Sequence, residues 1–168
     1  MPATGATAIP CGPGTVPIVT VAVTMSVLPL ITDMVLLPGT SAIIRGAQLQ
    51  GPLSAKGAGT LVVCGTTISG AVEVTGATGP VLLGAGSTCA PDTLGGAVSL
   101  TGNTTGVVLA GGTISGAVSL TRNATAVVVA GNTIGGSLSC DGNNPAPTDN
   151  GRPNTVTGLA SGQCAALT

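Results

Sequence analysis

The side chains here that could do polar chemistry are few: five cysteines, five carboxylates, four cationic residues and no histidine in 168 residues. Without an imidazole there is no Ser-His or Cys-His pair, and no side chain whose ordinary pKa suits proton transfer near neutral pH. The acids Asp33, Glu73, Asp92, Asp141 and Asp149 are scattered, whereas polysaccharide cleavage needs carboxylates or bases gathered on one face. Lys56 with Glu73, and Arg122 with Asp141, fall on neighbouring units of the repeat described below, and are expected to be surface ion pairs worth at most about 1 kcal/mol. Gly84-Ala85-Gly86 and Gly111-Gly112 lack the Lys-Ser/Thr that completes a phosphate loop and read as turns. The expectation is a non-enzymatic chain with no catalytic residue, cofactor or metal.

The cysteines, Cys11, Cys64, Cys89, Cys140 and Cys164, include no C-x-x-C pair and have no histidine to join them, which argues against zinc. Disulfides are expected, with Cys140–Cys164 and Cys64–Cys89 as the candidate pairs and Cys11 left over; the alternative is that some are small buried apolar residues. Disulfides imply an oxidising compartment, so the chain is expected to be secreted or on a cell surface. Met1 to Pro10 has no basic stretch of the kind that opens a signal peptide, which would then have been removed. A net charge of −1 gives no field to draw nucleic acid or an anionic membrane, and it weakens repulsion between copies of the chain. Pro17 to Leu37 is apolar, but Pro17, Pro29 and Asp33 interrupt it and Thr20, Thr24 and Ser26 alternate with aliphatics, so it reads as strand and not as a membrane span.

The elements that position these residues follow from an internal repeat. No Phe, Tyr or Trp is present, so Val, Leu, Ile and Ala must supply the core, and 28 Gly with 12 Pro point to frequent turns. Leu94-Gly95-Gly96-Ala97-Val98-Ser99-Leu100-Thr101 matches Ile114-Ser115-Gly116-Ala117-Val118-Ser119-Leu120-Thr121 at a spacing of 20, and Ile134 follows after another 20. The signature extends to Leu49, Ile68 and Val156. Longer gaps place insertions around Ser87 to Asp92 and in the Pro- and Asn-rich stretch before Val156. Two short alternating runs per unit and no helical period predict an all-β, right-handed parallel β-helix (β-solenoid), three-sided, of about six coils of about 20 residues, in a rod about 30 Å long. Residues 1–33 are expected to be an N-terminal extended or capping segment, 34–140 the solenoid coils, and 141–168 a C-terminal coil and cap closed by a disulfide.

Stacking turns repeated residues into columns. Val72, Val98, Val118 and Leu138 should face inward, with Val74, Leu100, Leu120 and Cys140, and likewise Val81, Val107 and Val127 with Leu83, Leu109 and Val129. Gly70, Gly96, Gly116 and Gly136 mark a corner that needs either a positive φ or close backbone packing. Asn103, Asn123 and Asn143 form a corner column whose amides can bond along the axis, which also accounts for two glycosylation-like triplets, Asn103-Thr104-Thr105 and Asn123-Ala124-Thr125. Thr67, Thr93, Thr113, Thr133 and Thr155 form another column. Val62, Leu82, Val108 and Val128 should point outward as an aliphatic stripe, the candidate interface, which either another copy or residues 1–33 would cover.

The coil signature Ile114-Ser115-Gly116-Ala117-Val118 at about 20-residue spacing resembles bactofilin-type polymer-forming β-helices, and the ending from Asn154-Thr155-Val156-Thr157-Gly158 to Gln163-Cys164 resembles small secreted bacterial repeat proteins. The likeness spans residues 34–167 and implies a right-handed β-helix capable of polymerising. The cysteines and the lack of charged tails depart from the cytoplasmic bactofilin pattern. The expected function is a structural or self-assembling surface module whose partner is another copy of itself. The alternatives are a binding module offering Thr columns to ice or carbohydrate, and a passive stalk or spacer.

Overall fold

The computed structural model describes residues 18–22, 31–84 and 89–168. Among them there is no helix, and hence none long and apolar enough to cross a membrane. Every strand pairing is parallel, and the strands sort into three sheets of six, six and seven strands that form the sides of a β-solenoid.

The first side, here the Thr face, carries the two-residue strands Gln48–Leu49, Thr67–Ile68, Thr93–Leu94, Thr113–Ile114, Thr133–Ile134 and Thr155–Val156. The second, the Ser face, stacks Met34–Leu36, Leu53–Lys56, Val72–Thr75, Val98–Thr101, Val118–Thr121, Leu138–Asp141 and Ala160–Gly162. The third, the aliphatic face, stacks Ile18–Ala22, Ser41–Arg45, Leu61–Cys64, Val81–Leu83, Val107–Ala110 and Val127–Ala130. The chain visits aliphatic, Thr and Ser faces in turn.

Register is the same from coil to coil. Ile114 lies against Leu94 and Ile134, and Val98 against Val72 and Val118, so each buried side chain packs on its own kind. The inward columns Val72, Val98, Val118 and Leu138, Val74, Leu100, Leu120 and Cys140, and Val107, Val127, Leu109 and Val129 are all buried. Aliphatic stacking of this kind fills the interior without any aromatic ring. Backbone groups bond from one coil to the next, as where the Val98 N–H donates to Ala117 O at 2.9 Å and the Val118 N–H to Ser137 O at 2.8 Å. That satisfies the interior main chain.

The corners are solved in different ways. Between the Thr and Ser faces, Gly96, Gly116 and Gly136 are required by close approach and not by φ: a Cβ on any of them would sit 2.6 Å from the main-chain nitrogen of Ala71, Ala97 or Ala117. Between the Ser and aliphatic faces the corner residue lies in the left-handed region, with φ of 64° at Gly57, 62° at Gly76 and Gly102, and 64° at Gly142. Arg122 occupies the same column with φ of 51°.

The two ends differ. At the C-terminal end a turn brings Cys164 and Leu167 over the core, both buried, and the Asn154 N–H donates to Leu167 O at 2.9 Å. At the other end Ile18–Ala22 pairs in parallel with Ser41–Arg45, so part of the segment expected to extend or cap adds a rung to the aliphatic sheet. Cys11 and residues 23–28 of the Val19 to Leu28 run lie outside the described residues.

A non-glycine residue in the left-handed region costs about 1–2 kcal/mol, partly offset by the chain entropy that glycine loses on folding. Arg122→Gly should therefore stabilise the protein by about 1 kcal/mol, seen as a rise of about 2–4 °C in Tm by far-UV circular dichroism. An unchanged or lower Tm would show that the arginine makes up the strain through its side chain.

Candidate functional site

Polar groups inside the solenoid are organised as ladders. At the Ser-to-aliphatic corner the Asn103 amide Nδ2 donates to Asn123 Oδ1 at 2.8 Å, and Asn123 Nδ2 donates to Asn143 Oδ1 at 2.8 Å. The Asn103 and Asn123 backbone N–H groups donate to the Asn123 and Asn143 oxygens at 3.0 and 3.1 Å, and Gln163 Oε1 continues the series above Asn143. Asn123 and Asn143 also reach the carbonyl three residues before the rung below, Asn123 Nδ2 to Leu100 O at 2.9 Å and Asn143 Nδ2 to Leu120 O at 2.8 Å. All three asparagines are buried, so the glycosylation-like triplets are structural.

A second ladder stands at the aliphatic-to-Thr corner. Asn154 Oδ1 accepts the Asn132 N–H at 3.0 Å and Asn132 Nδ2 at 2.9 Å, and Asn132 Oδ1 accepts the Gly112 N–H at 3.0 Å. Asp92 belongs to it: its Oδ1 accepts the Thr66 N–H at 2.8 Å. Asp92 was expected in a surface insertion and is instead buried, because the chain re-enters the corner at Ala90, whose carbonyl accepts the Gly65 N–H at 3.0 Å. The sequence signal was Asn or Asp directly before the threonine column in Asp92-Thr93, Asn132-Thr133 and Asn154-Thr155.

The outward columns differ from face to face. Val62, Leu82, Val108 and Val128 are aligned in one row on the aliphatic face, with Ile43 continuing it. These side chains are half-buried, and so are Ser99, Ser119 and Ser139, which also point outward, so stacking alone accounts for that degree of cover. On the Thr face, Thr67, Thr93, Thr113, Thr133 and Thr155 are aligned and exposed, and among the described residues their hydroxyls engage no protein partner.

Cys64–Cys89 and Cys140–Cys164 are bonded, with Cα–Cα distances of 5.1 and 5.2 Å. The ion pairs expected of Lys56 with Glu73 and of Arg122 with Asp141 are absent among the described residues. Lys56 stacks on Thr75, and Arg122 meets Asp141 through its backbone N–H to the Asp141 carbonyl at 2.9 Å. Long exposed side chains gain too little from such contacts to be held in place. No group of three or more His, Cys, Asp or Glu side chains is gathered among the described residues. Comparison with protein-family models, curated proteins and solved structures finds no match to this chain.

Replacing Asn123 leaves the Asn103 N–H and Nδ2 without partners in a dry corner and takes one donor from the Leu100 carbonyl. Asn123→Ala should cost at least about 3 kcal/mol by urea denaturation, whereas Ser119→Ala on the outer face should change stability by less than about 0.5 kcal/mol. Equal effects would mean that the ladder adds nothing beyond packing.

Proposed function

We propose that this chain is a non-enzymatic structural module whose rods associate side by side through the aliphatic face. The observation that carries this reading is the unbroken row Ile43, Val62, Leu82, Val108 and Val128, five aliphatic side chains in register with no hydroxyl or charge between them. Contiguous outward aliphatic surface of this kind marks a contact face. The occupant is a second copy: a net charge of −1 offers little repulsion between chains, and a β-solenoid presents the same row on every copy. The C-terminal turn with Leu167 closes one end, which favours lateral over end-to-end growth at that end. The two disulfides fit a secreted or cell-surface location. A polymer-forming role like that of bactofilins agrees with this reading and rests on the coil signature alone.

The test is Val108→Lys combined with Val128→Lys. The native protein should exceed its 15.7 kDa chain mass by light scattering, and the double variant should fall to that mass with its circular dichroism unchanged. A native monomer, or a variant that still associates, would reject the proposal.

The exposed, unpartnered hydroxyls of Thr67, Thr93, Thr113, Thr133 and Thr155 favour a second reading, a flat face that binds a regular hydroxyl-bearing surface such as ice or a polysaccharide. Under it, millimolar protein shows thermal hysteresis or is retained on insoluble polysaccharide, and Thr113→Lys with Thr133→Lys abolishes the effect. Neither activity in the native protein would remove this reading.

A further inference from the structure

Pro91-Asp92-Thr93 and Pro153-Asn154-Thr155 fill equivalent places in the fold. The Gly65 N–H donates to the carbonyl of Ala90 at 3.0 Å, and the Gly131 N–H to that of Arg152 at 2.8 Å, in each case the residue before the proline. Asp92 Oδ1 accepts a backbone N–H from the coil below as the oxygens of Asn132 and Asn154 do.

The other half of the side chain differs. Asn132 Nδ2 donates to Leu109 O and Asn154 Nδ2 to Val129 O, both at 2.8 Å, and each acceptor lies three residues before the rung below. The same offset from Thr66 gives the carbonyl of Val63, which accepts the Gly84 N–H at 3.0 Å and lies 3.6 Å from Cys89 Sγ. Asp92 is 1% exposed, and its Oδ2 is buried and makes no hydrogen bond of ordinary geometry, the nearby Gly84 N–H being donated to Val63 O. By its place in the ladder Oδ2 stands where asparagine carries its amide nitrogen, and an ionised oxygen would supply a buried charged acceptor where asparagine supplies a donor. A protonated Oδ2 restores the donor that asparagine supplies.

We propose that Asp92 is a neutral carboxylic acid in the folded chain, an asparagine surrogate in the second ladder, and that loss of its proton loosens the corner spanned by the Cys64–Cys89 disulfide, making it a pH-sensitive clamp.

The strands and loop around Asp92 supply no cationic side chain to offset a charge. Leu61–Cys64, Thr67–Ile68, Val81–Leu83, Val107–Ala110 and Thr113–Ile114 carry no ionisable side chain apart from disulfide-bonded Cys64, and residues 84–91 carry none apart from disulfide-bonded Cys89. The charged groups along this corner are Arg45, whose Nη1 lies 3.8 Å from Cys64 Sγ, and Arg152, whose guanidinium lies over Gly131. Burial pushes the Asp92 carboxyl upward, opposed by hydrogen bonding from the Thr66 backbone and then the Gly84 backbone.

The sign follows from linkage. An acid that holds its proton more tightly when folded contributes fully below its unfolded pKa of about 3.9, and that contribution is lost as pH rises towards the folded value. The Tm of the native protein should therefore fall more steeply above about pH 4 than that of Asp92→Asn, and the variant should melt higher at pH 8. Infrared spectra of the native protein at pH 7 should show the C=O band of a protonated acid, lost in the variant. Parallel Tm profiles for the two proteins, a lower Tm for the variant at pH 8, or no protonated-acid band in the native protein would overturn the proposal. The infrared reading stands even if Asp92→Asn fails to fold.

Discussion

What the structure depends on is that every coil lies in register on the one before it, so that each atom meets its own counterpart about 4.8 Å away along the axis. Parallel strands need partners on both edges, and among the described residues only the terminal coils lack one. The same constraint governs side chains. A valine column works because valine fits valine, and an asparagine column works because an amide is at once donor and acceptor and can pass a hydrogen bond along indefinitely. An acid in such a column keeps the pattern only by behaving as an amide does.

Once register is fixed, corners and faces become nearly independent. One corner needs glycine because the neighbouring backbone leaves no room for a Cβ, and another because φ is positive. Neither demand reaches the outward positions of the strands between them. One repeat can therefore present an aliphatic row on one side and hydroxyls on the other two without altering its interior.

Much of this was legible in the residues because period and register are one-dimensional. The inward columns through Val98 and Val118, the stacking of Ile114 on Ile134, and the Asn103, Asn123 and Asn143 series all follow from a spacing of 20, and the structure places each of them in register. The second ladder was hidden because Gly112 interrupts it and because Asp92 and Asn154 each follow an insertion, where counting residues no longer locates a corner. The left-handed column was hidden for a similar reason: Arg122 breaks the run of glycines that would have marked it. The charged pairs failed on different grounds, since proximity in a column says nothing about whether two exposed flexible side chains gain from meeting. Whether the outward rows meet a partner is a property of surfaces, on which periodicity is silent.

The breaks in the repeat and the covalent links coincide. Residues 84–88 lie between Cys64 and Cys89, and the Pro- and Asn-rich stretch 144–153 lies between Cys140 and Cys164, so each departure from the regular count is enclosed by its own sulfur bridge. A protease that cut either departure would leave both halves of the rod tied together. Under oxidising conditions a nick within either departure therefore does not divide the protein.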